Sequence, residues 1–112
     1  MKPFWLVLLL LFCFYPINPS YALLPAEILL IANNNDSASL KLAAYYQQQR
    51  QIPSKNLLTV SMTTKEDCSR AEYEESLVIP LRNYLSAHPE KKIRCLLLFY
   101  GLPLRVTGYG LR

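Results

Sequence analysis

The chain has 112 residues and a formal net charge of +4, from twelve Lys or Arg against eight Asp or Glu. That length allows one domain, or one piece of a domain, with a modest core. Its basic residues are scattered, with Lys91-Lys92 the only adjacent pair, which excludes the basic stripe that nucleic-acid binding requires.

In chain order, the first segment is "MKPFWLVLLLLFCFYPINPSYA", residues 1–22. It carries one positive charge at Lys2, an apolar stretch from Phe4 to Tyr15, and then a polar segment broken by Pro16. Ser20 and Ala22 are small residues placed before a cut, so the expectation is a secretory signal peptide with Leu23 starting the mature chain. The apolar run is too short for a membrane span, which needs roughly 20 residues. Cys13 does not read as a lipidation site, because bulky Phe12 precedes it. The protein is therefore expected to be exported, periplasmic or secreted, with no stable membrane span after cleavage. Residues 23–112 keep eleven basic and eight acidic side chains, a net charge of +3.

Three apolar segments follow. "EILLIA" (27–32) and "IRCLLLFY" (93–100) are near-continuous apolar runs of strand length, which suits strands covered on both faces. "NLLTVSM" (56–62) alternates instead, with Leu58, Val60 and Met62 facing one way and Thr59 and Ser61 the other. Such a strand has one face less covered and belongs at a sheet edge.

The two gaps between these strands have the length of βαβ crossovers and read as helices. The first opens on Asn35, Asp36 and Ser37, all good caps, and places Leu40, Ala43, Ala44 and Tyr46 on one side before Pro53 stops it. The second begins at Ser69 and Glu72, the spacing of a capping box. Tyr73, Leu77, Leu81, Tyr84 and Leu85 form its apolar stripe. Pro80 removes the hydrogen bond to the carbonyl of Ser76, so the expectation is a kink there, or two helical pieces with Pro80 in the first turn of the second.

The expected fold class is α/β, in the order β-α-β-α-β with right-handed crossovers. Its three-stranded parallel sheet has spatial order 2-1-3 and helices on opposite faces, an incomplete Rossmann-like or caspase-like sheet. Ligands in open α/β sheets sit at the carboxyl ends of the strands, at the topological switch. Here that is the crevice between strands one and three, flanked by the loops 33–36 and 100–105. The candidate ligand-binding residues are Asn33, Asn35, Asp36, Gly101 and Arg105. Gly101 and Pro103 end the third strand sharply. Arg105 is either a solvent-exposed residue of a strand exit or a fork turned toward an anionic group.

No catalytic constellation, metal-ligand spacing or cofactor motif stands out in 1–112. His88, the lone histidine, ends the second helix before Pro89, where a cation is favoured, at the wrong end of the sheet to activate Cys68. The acids Glu72, Glu74 and Glu75 sit in first turns of a helix, which favours negative charge. "NNND" (33–36) reads as capping, since no phosphate-loop pattern accompanies it. Cys68 and Cys95 fall near opposite ends of the sheet, roughly 15–20 Å apart by helix and strand rises. A disulfide needs α-carbons within about 4.4–6.8 Å, so none is expected.

The stretches "LLPAEILLIANNNDSASLKLAAYYQQQRQIPSKNLLTV", "SRAEYEESLVIPLRNYL" and "IRCLLLFYGLPLRV" resemble the opening of a family of secreted bacterial proteins of unknown function. The most specific pieces are Tyr45, Tyr46, Arg50, Ile52, Pro53, Asn56 and Leu57, and the turn from Tyr100 to Arg105. Members are considerably longer, so the resemblance implies that 23–112 is the N-terminal part of a truncated domain. A looser resemblance is to gingipain-like cysteine peptidases, whose caspase-like sheet also has a helix followed by "R-x-I-P" and a strand. Their catalytic His and Cys follow later strands, so no catalytic residue carries over to this chain.

Two function classes follow. One is a non-catalytic exported α/β module; the other is the N-terminal half of a peptidase-like hydrolase, with its nucleophile and base beyond residue 112. In either case the third strand is expected to present an apolar edge. That edge pairs with the missing C-terminal part of the domain or drives self-association.

Overall fold

The computed structural model describes residues 3–13 and 22–108. The elements are α1 (Phe4–Cys13), a 3₁₀ turn (Pro25–Glu27), β1 (Ile28–Asn33), α2 (Ser37–Gln49), β2 (Leu57–Val60) and β3 (Asp67–Ser69). Then come α3 (Arg70–Tyr73), a π-helical segment (Glu74–Val78), α4 (Ile79–Ala87), β4 (Cys95–Leu98) and β5 (Arg105–Thr107).

α1 has ten residues, and among the described residues no helix is long and apolar enough to cross a membrane. Ser20, in the expected cleavage segment, lies outside the described residues, as do Tyr15 and Pro16.

The main sheet is parallel with order β2-β1-β4, the order expected from the sequence. β1 is the central strand, and Leu29 to Ala32 are wholly buried, because both faces of the sheet are covered there. Leu29 and Ile31 pack with Leu58, Val60 and Met62 of the β2 segment and with Tyr73, Leu77, Leu81 and Tyr84 of the second crossover. Leu30 and Ala32 pack on the other face with Ala43, Leu40 and Tyr46 of α2 and with Ile52, Leu97 and Phe99. The helices therefore cover opposite faces, as the right-handed crossovers of a 2-1-3 sheet require. On α2 the buried stripe is shifted from the expected one. Ala44 is exposed, and Ser39 is buried in its stead.

α2 begins at Asp36, whose Oδ1 accepts the N–H of Ala38 at 3.0 Å. It ends in a Schellman arrangement, in which Ile52 N donates to Gln47 O (3.0 Å) and Gln51 N to Gln48 O (3.4 Å). Gln51 takes the left-handed conformation, φ +54°, where glycine is the usual occupant.

The second crossover departs from the expected capping box, and at Pro80 it takes the expected form of helical pieces with the proline in the first turn of the last one. Ser69 Oγ accepts the N–H of Glu72 at 3.1 Å, but the Glu72 carboxylate does not return to Ser69. It accepts the N–H of Thr63 at 3.1 Å and so ties the helix start to the loop after β2. Around Pro80, the helix absorbs the missing N–H by widening. Ile79 N donates five residues back to Glu74 O, and Pro80 falls in the first turn of α4, where its N–H is not needed. His88 ends α4 as expected, its Nδ1 donating to Tyr84 O at 2.9 Å.

A second, two-stranded parallel sheet, β3 with β5, was not legible in the sequence. Leu104 N and Arg105 N both donate to Glu66 O, which carries the chain after β4 across to the loop after β2.

β4 departs from the expectation of a strand covered on both faces. Leu97 and Phe99 face the α2 core, but Leu96 and Leu98 are 42% and 48% exposed. The second crossover packs over β1 and β2 and covers that side of β4 only in part, leaving a groove between them. Among the described residues, the outer edge of β4 has no strand partner.

Candidate functional site

The crest at the carboxyl ends of β1 and β4 brings together four of the five candidate residues. Asn33, the last residue of β1, is wholly buried. Its Nδ2 donates to Gly101 O at 2.7 Å and to Met62 O at 3.1 Å. Its Oδ1 accepts the N–H groups of Met62 and Asn35, each at 3.1 Å. Its backbone N–H donates to Ser39 Oγ at 2.9 Å. Asn35 adds a bond from Nδ2 to Met62 O at 3.0 Å. One side chain thus ties the ends of β1 and β4 to the segment following β2.

Gly101 is required where it stands. Its φ is +103°, and a Cβ there would lie 2.7 Å from Asp36 Oδ2 and 2.9 Å from Ser39 Cβ. The strand exit and the α2 cap therefore approach each other closely at Gly101.

Arg105 is not part of this crest. It lies on β5, where Nε donates to Asp67 Oδ1 at 2.8 Å and a second nitrogen is 3.9 Å from Glu66. Of the two sequence readings, the solvent-exposed residue after the strand exit describes it, with its side chain 69% exposed, although it is paired rather than free. It pairs across the small sheet, an exposed ion pair of modest energy.

Sequence reasoning missed Ser39, and it named Asn56 and Glu72 without the bonds they make here. Asn56, 2% exposed, donates through Nδ2 to Ala26 O and Ile28 O, both at 3.1 Å. Its Oδ1 accepts from Lys91 Nζ at 2.9 Å, and Lys91 also donates to Tyr84 OH at 3.1 Å. The Ile52, Pro53 and Asn56 stretch is therefore a joint at the amino end of the sheet. Its one signal in sequence is a polar residue just before an apolar strand.

Among the described residues, no buried side-chain nitrogen or oxygen lacks a hydrogen-bond partner, and no group of three or more His, Cys, Asp or Glu is placed to hold a metal ion. Cys68 and Cys95 are free thiols. Burial, aided by the nearby Glu72 and Asp67 carboxylates, pushes the Cys68 thiol up from its ordinary value, the opposite of what activates a nucleophile.

Three hollows stand out among the described residues. An open one of about 640 Å³ lies at the amino end of the sheet among Pro53, Lys55, Asn56 and Lys91, away from the strand ends where such sheets bind ligands. A second of about 170 Å³, lined by Met62, Cys68, Leu102 and Val106, has Arg105 at its rim. The third is an apolar groove of about 370 Å³ beside β4, lined by Ile31, Tyr73, Leu77, Leu81, Leu96 and Leu98.

Fold and site together define an open-sheet α/β domain whose polar crest is knit to itself and whose bare surface is apolar. No family model, curated protein or solved structure matches the chain.

Proposed function

We propose that this chain is an exported α/β module that works by pairing. The edge of β4 and the groove beside it take up further β-structure, while the crest holds the sheet together. One contrast carries this reading: Leu96 and Leu98 stand half-exposed beside an edge that is unpaired among the described residues, whereas Asn33, Asn35 and Gly101 are bonded to one another. Export rests on the tripartite leader in 1–22, and the resemblance to longer secreted bacterial proteins supports 23–112 as the N-terminal part of a larger domain.

Light scattering on the exported protein at rising concentration tests the pairing role. Association that a lysine at Leu98 abolishes is expected, and a monodisperse monomer with a cooperative melt would overturn it. N-terminal sequencing of the same material should begin at Leu23; an intact Met1 or a lipidated Cys13 would end the export reading.

A second reading, the N-terminal half of a peptidase-like hydrolase, is favoured by the groove itself. It lies where the next strand and helix of a larger sheet would pack. The reading frame beyond Arg112 decides between the two. An apolar strand ending in Gly-His, followed by another ending at Cys, supports the hydrolase.

A further inference from the structure

The two edges of the main sheet are unlike. β2 exposes Thr59 and is followed by exposed Ser61. β4 is Cys-Leu-Leu-Leu, with neither a charge nor a proline, the devices that keep natural edges from pairing.

Charge is also graded along the strand direction. The amino end of the sheet carries Lys55, Lys91, Lys92 and Arg94 against Glu27 and Glu90. The carboxyl end carries Asp36, Glu66, Asp67, Glu72 and Glu74 against Lys65, Arg70 and Arg105. A parallel neighbour of the same kind would set basic end beside basic end. An antiparallel one sets each basic end beside an acidic end.

We infer that the β4 edge is an isologous interface between two copies of this chain, antiparallel about a two-fold axis through Leu97. This rests on the pairing role proposed above and names its partner. A two-fold axis normal to the sheet keeps each face on its own side, so only residues of matching parity can oppose each other. Centred on Leu97, that register sets Leu96 against the partner's Leu98. Arg94 then falls opposite the partner's Tyr100, and no like charges meet. Tyr100 is 76% exposed in the single chain, and a guanidinium over its ring gives it a contact. The pair joins two three-stranded sheets into one, and leucines at positions 96 and 98 from both copies gather between the two α4 helices.

The test is made on the exported protein with Cys95→Ser and Leu97→Cys, treated with a short thiol–thiol cross-linker. A residue on the axis meets its own copy, so a covalent dimer is expected. Ser61→Cys at the β2 edge, in the same background, should stay monomeric. Tyr100→Ala should weaken the dimer severalfold without lowering the melting temperature of the monomer. Association without cross-linking at position 97, or equal cross-linking at position 61, would overturn the two-fold while leaving the pairing role standing. A monomer at every concentration would overturn both.

Discussion

Asn33 shows how a residue can look like a ligand and serve as a staple. In sequence it is a polar side chain at the end of an apolar strand, facing the crevice where α/β sheets bind ligands. Three-dimensional placement decides its role, because the groups it bonds belong to Met62 and Gly101, far along the chain. Asn33→Ala strands the buried N–H of Met62 and loses two donors' worth of bonds. It should cost on the order of 3 kcal/mol in urea unfolding. Gly101→Ala should lower stability by more than about 1 kcal/mol, through a disallowed φ and a collision with Asp36. Gln51 offers the reverse case. Gln51→Gly relieves a left-handed side chain and should raise stability by about 0.5–1 kcal/mol, the backbone relief outweighing the looser unfolded chain. Of these three positions, Gly101 had the clearest sequence signal, a glycine before Pro103 at the end of an apolar run.

Among the elements, the strands and crossovers were legible because each depends on a local pattern: apolar runs, alternation and caps. Sheet order followed from relative burial and crossover handedness. What failed did so where a partner from elsewhere competed. The Glu72 carboxylate left the capping box because the loop after β2 presents a free N–H at Thr63. Ser69 and Glu72 thus satisfy separate donors. Ser69→Ala should cost about 1 kcal/mol, and its cycle with Glu72→Ala should show coupling below about 0.5 kcal/mol. β3 and β5 escaped notice because three-residue strands have no period to read. The 3₁₀ turn before β1 is tied by Glu27, which accepts the Leu24 N–H at 2.8 Å and lies 3.4 Å from Arg94. The Leu24 N–H chiefly, and Arg94 as well, hold the Glu27 carboxyl below its ordinary value, against a smaller opposing effect of desolvation. A carboxyl depressed in the folded state stabilises above its unfolded pKa and loses that contribution as pH falls through the folded one. A carbonyl-carbon NMR titration should place the Glu27 midpoint under that of an unstructured glutamate; a midpoint at or above it would remove this tie.

On the scale of the whole molecule, cover is uneven. β1 is enclosed between two layers, whereas β4 has one half-covered face and, among the described residues, one unpaired edge. Amide exchange should report this directly, with Leu29 to Ala32 opening only on global unfolding and the outward amides of β4 exchanging by local fluctuation. Uniform protection across both strands would contradict it. The sequence suggested an apolar edge but not the half-covered face, since an uninterrupted run such as Cys95 to Leu98 looks the same whether one side is covered or two.

The central position of β1 also sets an order of events. Its pairing with β2 joins residues 27 positions apart, Leu30 with Leu57, whereas its pairing with β4 joins Ile28 to Cys95, 67 positions apart. Loop closure makes the second contact the later one. Between the two, β1 has one satisfied flank and one open flank made of Ile28 to Ile31. A nascent chain emerging at about 5–20 residues per second passes several seconds in that state. During that interval the strand that ends most deeply buried is a free template, and a holding chaperone that binds short aliphatic stretches would find its target there.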